Sequence, residues 1–176
     1  MSFGRFVIKH LVSLLPPTRV YALKAHLWRL AGVRVSTSAR IVSTVSFYTN
    51  GNIFIGDRTF IGEETTLVSG DADILIGDDV DIAPRVLIVG GSHEIDMIGP
   101  RSAGTEVSRR IEVQNGVWIG ASSTVLGGVT IGKKAVIAAG SVVNQDVPPF
   151  SMVAGVPARV VKVWDETSGK WLAKNK

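Results

Sequence analysis

The chain holds few side chains suited to acid–base or nucleophilic chemistry near neutral pH: three histidines, His10, His26 and His93, and no cysteine. Without cysteine there is no disulfide, no thiolate metal site and no thiol nucleophile. His10 and His26 fall in an N-terminal stretch of helical pattern. His93 stands apart, near the start of "SHEIDMIGPRSAGTEVSRR", residues 92–110, a segment with glycine, proline and several charges. A neutral imidazole accepts a proton near pH 7. By itself His93 is either an ordinary exposed loop histidine or the proton acceptor of a reaction, and the segment that carries it decides between the two.

That segment interrupts a repeat. In "IGASSTVLGGVTIGKKAVIAAGSVV", residues 119–143, an aliphatic residue recurs every sixth position, at Ile119, Val125, Ile131, Ile137 and Val143. Neither the 3.6-residue helical period nor the two-residue strand period explains this spacing. A hexapeptide repeat is the signature of a parallel β-helix, in which each six-residue unit forms one short side and turns one aliphatic residue inward. Small residues that follow, as in Ile119-Gly120 and Ile137-Ala138, suit tight corners. The phase extends back to Val113 and recurs at Ile55, Ile61 and Leu67, then after an offset at Ile76, Ile82 and Ile88. "VSGDAD", residues 68–73, shifts the phase by three, as a bulge or corner loop would. Residues 92–110 lack the hexad and read as an excursion, and long excursions of this kind are usually functional.

The two ends differ from the repeat. Phe3, Phe6, Val7, Leu11, Leu14 and Leu15 recur at helical spacing up to Pro16-Pro17, and Leu23, Leu27, Leu30 and Ala31 suggest a second helix. A helical cap over residues 1–34 is therefore expected, closing the solenoid or packing against a subunit. With Arg5, Lys9, Arg19, Lys24 and Arg29 among the apolar residues, peripheral contact with a membrane is the alternative. The β-helix is expected over 35–158, with its excursion at 93–110. The tail, 159–176, is expected to be a short surface helix, with Trp164 and Trp171 packing back.

Composition bounds the rest. The 176 residues, 45% hydrophobic, allow one globular domain with a substantial core. No apolar run approaches the length that spans a bilayer, and Lys9 and His10 break the apolar start without a cleavage motif after it, so no cleaved signal is read. A cytoplasmic protein is expected, at most peripheral to the inner face of the membrane. The net charge of +4 is spread along the sequence, without the basic helix or aromatic platform of a nucleic-acid binder.

The ordered set "IGDDVDIAPRVLI", "GSHEI", "VQNGVWIGASSTVLGGVTIG", "AVIAAGSVV" and "VAGVPARVV" resembles the hexapeptide-repeat acyltransferases, specifically the maltose, galactoside and polysaccharide O-acetyltransferase group. The resemblance covers about Ile41 to Lys162. It implies a mostly β fold built as a left-handed parallel β-helix, a homotrimer, and acetyl-CoA bound between subunits as acyl donor, with no metal. The left-handed sense departs from the usual right-handed crossover and is taken from the resemblance. His93 matches the family's catalytic histidine, and Glu94 resembles the neighbouring acid that orients the imidazole in some relatives. Asp71 sits where galactoside-acetylating relatives place an acceptor-binding acid, although a turn-forming aspartate explains it as well. Those relatives carry an asparagine one coil earlier where this chain has Gly62-Glu63, which leaves the acceptor open. The resemblance places Trp118, Ala121 and Ala139 along the pantetheine, and Asn144, Gln145, Arg159 and Lys162 near the nucleotide of the donor. Arg159 and Lys162 can pair with phosphates. Relatives commonly have Thr-Lys in place of Asn144-Gln145, and Lys133 or Lys134 could replace the lost charge.

The function so implied is transfer of an acetyl group to a hydroxyl of a sugar or polysaccharide precursor, directly and without an acyl-enzyme. Within the fold the alternatives are N-acetylation of an amino-sugar and acetylation of an antibiotic. A metal-dependent hydratase of the carbonic anhydrase type needs several coil histidines, and this chain has one. A non-catalytic solenoid scaffold is the remaining class.

Overall fold

Each turn of the coil is made of three short parallel strands, one in each of three sheets, and the computed structural model describes residues 3–174. Sheet A holds Arg34–Val35, Ile53–Ile55, Ile74–Ile76, Ile111–Val113 and Thr130–Ile131. Sheet B holds Arg40–Ile41, Phe60–Ile61, Asp81–Ile82, Trp118–Ile119, Val136–Ile137 and Ser151–Gly155. Sheet C holds Ser46–Thr49, Thr66–Gly70, Leu87–Val89, Thr124–Leu126 and Val142–Val143. The three sheets are the sides of a triangular prism, the left-handed β-helix that the repeat and the resemblance led us to expect.

Registration explains the period of six. Strands pair so that Ile41, Ile61, Ile82, Ile119, Ile137 and Val153 form one interior column. Leu67, Ile88, Val125 and Val143 stack in sheet C in the same way. Every repeat position named above is buried, at no more than 3% exposure. Burial of such side chains is the main favourable term, about 1.5–3 kcal/mol each. Corners need a left-handed backbone: Arg58, Asp79, Gly116 and Lys134 take positive φ between sheets A and B. Side chains from the next coil support that corner. The Asp57 amide donates to the Asp78 carboxylate at 2.7 Å, and the Asp78 amide donates to the Asn115 side-chain oxygen at 3.0 Å. At the next corner Gly120 leaves no space, because a Cβ there would stand 2.6 Å from the Ala139 nitrogen. The phase offset at residues 68–73 corresponds to a shift of register between Tyr48 and Thr49 against Thr66–Gly70.

Two helices precede the coil, α1 (Phe3–Ser13) and α2 (Tyr21–Leu30). Helix α2 closes the open end: Trp28, 1% exposed, meets the Phe47 ring edge-on at 4.7 Å. Lys24 is buried beside it and donates to the Pro17 carbonyl at 2.7 Å, and burial lowers its pKa. Among the described residues no helix is long and apolar enough to cross a membrane.

The C-terminal tail corrects an expectation. It is not helical: Ala158–Asp165 pairs antiparallel with Ser151–Gly155, and Lys170–Ala173 pairs antiparallel with Ala158–Asp165. The open edge of sheet B supplies a hydrogen-bonding template, and the β-branched run "VVKV" suits an added strand. The Asp165 carboxylate accepts the Thr167 and Ser168 amides, fixing a turn where a helix would have had to continue. Trp164 and Trp171 then face each other across the strands, with ring centroids 5.6 Å apart.

Candidate functional site

Between sheets C and A the chain leaves the coil at Gly91 and returns at Ser108. The excursion is a two-stranded arm, Gly91–Ile95 against Ala103–Ser108, rather than an irregular loop. Its tip is pinned by Asp96, whose carboxylate accepts the Ile98 and Gly99 amides; these bonds lower its pKa and keep it ionised. His93 lies on the first strand of this arm. Its Nδ1 is 3.0 Å from the Gly104 carbonyl oxygen. A carbonyl has no proton to give, so Nδ1 carries the hydrogen, and the neutral ring keeps its lone pair on Nε2. Gly104 has no room for a side chain, since a Cβ would stand 2.9 Å from Asp96 Cβ and 3.1 Å from the Glu94 carbonyl oxygen. The orienting carbonyl is therefore locked in place by the packing of the arm.

His93 and Ser92 line a cavity of about 350 Å³ together with Arg109, Leu126, Gly127 and Asn144. Asn144 thus shares a cavity with the imidazole. Arg109 was not singled out from the sequence; it makes no ion pair among the described residues, and its Cδ lies 3.3 Å from where a Gly128 Cβ would stand. The adjacent pair Arg109-Arg110 at the end of the excursion was the available signal, but only the fold separates them: Arg110 pairs with Glu112 at 2.8 Å. Glu94 lines a different cavity, with Asp96 and Thr105, and no bond joins it to the ring. The acid registered opposite His93 across the arm is Glu106. Opposite residues of a strand pair share a face, so Glu106 is the carboxylate on the histidine's side.

Asp71 occupies the same corner one coil earlier. Its amide donates to Ser108 Oγ at 3.1 Å, and its carboxylate accepts from the Asn50 side-chain amide at 3.1 Å. It is exposed and does not line the His93 cavity. Trp118 is on the outer surface of sheet B, 54% exposed, over a depression with Phe60 and Pro84. Ala121 and Ala139 follow on the corner between sheets B and C. In a triangular prism the side formed by sheet B is opposite the corner that bears His93. One chain therefore cannot bring Trp118 to the imidazole.

At the C-terminal end, Gln145 and Arg159 line a groove of about 710 Å³. Arg159 spends one N–H on the Ala158 carbonyl at 2.8 Å. Lys162 lies on the same strand, past a register shift that leaves Val161 without a partner on Ser151–Gly155. A bulge moves the alternation by one residue, which sets Arg159 and Lys162 on one face. Lys133 and Lys134 are exposed on the corner between sheets A and B, and Lys134 covers Gly116. Among the described residues no group of three or more His, Asp or Glu could hold a metal ion.

Residues 110–145 match the family described as bacterial transferase hexapeptide (six repeats). The galactoside O-acetyltransferase of Escherichia coli (strain K12) is 38% identical over 128 residues, 73% of this chain and 62% of that protein. The chain spans less than two thirds of the length of the curated relatives it matches. A hexapeptide-repeat-containing acetyltransferase of Vibrio cholerae superposes with a TM-score of 0.80 at 32% identity, over 92% of this chain and 89% of that one; its structure is also known complexed with acetyl coenzyme A. A galactoside acetyltransferase in complex with coenzyme A superposes with a TM-score of 0.76 at 30% identity, over 97% and 84%. Fold and sequence agree, and the chain belongs to the hexapeptide-repeat transferase family.

Proposed function

We propose that this protein is an acetyl-CoA-dependent O-acetyltransferase, active as a homotrimer, whose acceptor is a hydroxyl of a sugar or polysaccharide precursor. The observation that carries the reading is His93, held by the Gly104 carbonyl so that Nε2 is the proton-accepting atom in a cavity. The acceptor oxygen gives its proton to Nε2 as it attacks the thioester carbonyl. The tetrahedral intermediate collapses to the ester, and the leaving CoA sulfur takes the proton back. No residue is acylated. Relatives of this architecture are named galactoside O-acetyltransferases and are known with coenzyme A or acetyl coenzyme A bound. Asp71, at the same corner one coil earlier, is proposed to meet the acceptor, and the ring is oriented by the Gly104 carbonyl rather than by Glu94.

The reading requires assembly. Trp118, Ala121 and Ala139 contact the donor from a neighbouring chain, because sheet B and the His93 corner lie on opposite sides of one prism. The outer face of sheet C shows Tyr48, Leu87 and Leu126, and the arm shows Ile95, Met97 and Ile98, apolar surface for a subunit to cover. The test of the reaction is thiol release from acetyl-CoA across a panel of sugars, amino-sugars and lipid-linked glycans. Hydroxyl acceptors should support turnover. Turnover with amines alone would replace O- by N-acetylation, and no release with any acceptor would remove the enzyme reading.

Arg159, which lines the groove of Gln145, and Lys162, on the same face of its strand, are proposed to hold the phosphates of the donor. Charge-assisted bonds to a phosphate contribute roughly 1.5–3 kcal/mol. Arg159→Gln and Lys162→Gln are each expected to raise the acetyl-CoA KM by about tenfold or more, leaving the acceptor KM near its original value, with a smaller difference at high salt. Unchanged donor KM in both would take them out of the site.

A further inference from the structure

Helix α1 is amphipathic in the inverted sense. Ile8 and Val12 face the body of the protein, and so do the helix's two cations. Arg5 donates to the Ala31 carbonyl at 2.8 Å and to the Thr49 carbonyl, while Lys9 donates to the Tyr48 hydroxyl at 2.8 Å and lies 4.9 Å from the centre of its ring. The opposite face is turned outward and is almost wholly apolar: Phe3 and Leu14 are 81% and 82% exposed, with Phe6, Val7 and Leu11 between them. His10, the polar residue on that face, bonds back to the Phe6 carbonyl. Since α2 already closes the coil, this face of α1 has no role as a cap.

Charge distinguishes the partners that could cover it. Residues 1–56 carry seven of the 19 Lys and Arg and none of the 15 Asp and Glu, the first acid being Asp57. The rest of the chain, with all fifteen acids against twelve cations, is net acidic. The cations surround the end of the prism: Arg34 stacks on Phe54 at the edge of sheet A, Arg40 on Phe60 at the edge of sheet B, and Lys9 lies beside sheet C. A second copy docked through this same end would set cations against cations without a carboxylate to relieve them. An anionic bilayer offers both an apolar layer for Phe3, Phe6, Leu11 and Leu14 and phosphates for the rim.

We infer that the N-terminal end is a docking surface for an anionic phospholipid membrane, with the outer face of α1 entering the headgroup boundary. The coils then stand away from the bilayer, their acidic surface far from its charge. This localises the protein without contributing to the site on the arm.

The test is co-sedimentation of the full chain with vesicles of phosphatidylglycerol and phosphatidylcholine, and with phosphatidylcholine alone. The protein is expected to sediment with the anionic vesicles, much less with the neutral ones, and less at about 0.5 M salt. Phe6→Glu with Leu11→Glu changes two outward side chains and should weaken binding by at least about tenfold, with thermal stability and particle mass unchanged. Arg34→Gln or Arg40→Gln should weaken it by about fivefold each. Failure of the wild-type chain to bind anionic vesicles would overturn the inference, and so would binding by the double variant equal to wild type. A double variant that falls to a lower mass in light scattering would assign the face to a second copy instead.

Discussion

His93→Ala should lower turnover by about 10² to 10⁴, the usual contribution of a general base, while leaving the acetyl-CoA KM and the assembly near those of the wild type. The separation follows from the geometry. His93 is exposed on an arm outside the coil and none of the interior columns includes it, so its truncation removes one hydrogen bond to Gly104 and no core packing. A fall in kcat without loss of thermal stability is therefore a statement about chemistry. His93→Ala that is folded and within a few fold of wild-type turnover would refute the assignment. His93→Asn separates the roles further, since its amide nitrogen stands near the place of Nδ1 and can keep donating to the Gly104 carbonyl while nothing replaces Nε2 as proton acceptor; it should be as slow as the alanine variant.

The coil was legible because its physics is periodic: a residue such as Ile119 must be aliphatic to fill the column, and the one after it, Gly120, must be small to pass the neighbouring backbone. Three features were not. The sequence suggests a surface helix for the tail, with Trp164 and Trp171 packing back, whereas the free edge of sheet B, a tertiary feature, makes these two residues a cross-strand pair. The partner of His93 is a backbone carbonyl, and carbonyls leave no mark in a sequence. The resemblance implies Glu94, but in a strand neighbours point to opposite faces, and the pairing of the arm brings Glu106 opposite the histidine instead. Arg109 was hidden in the same way, since nothing in "SRR" distinguishes the arginine that faces the cavity from the one bound to Glu112.

Mixing two impaired variants should restore activity. Trp118→Ala removes a 54% exposed ring that is proposed to pack against the donor, and loss of such a contact, about 1.5–3 kcal/mol, should lower kcat/KM for acetyl-CoA by roughly 10- to 100-fold. His93→Ala alone should be slower still. If each site takes His93 from one chain and Trp118 from the next, a site in a mixed trimer is intact wherever a chain with His93 adjoins a chain with Trp118. Random assortment of an equimolar mixture gives that arrangement at about one site in four, so the exchanged sample should recover about a quarter of wild-type kcat/KM, well above the mean of its parents. Light scattering and mass analysis must show that mixed trimers formed. If they form and activity stays at the mean of the two variants, His93 and Trp118 serve the same site from one chain or Trp118 serves none. The prism argues against the first of these, because Trp118 is fixed by its pairing with Asp81 and Val136 on sheet B, while His93 projects from the corner between sheets C and A. Neither residue can change sides without unwinding the coils that hold it, so recovery of activity in the mixture would mean that the catalytic unit is the junction between two chains.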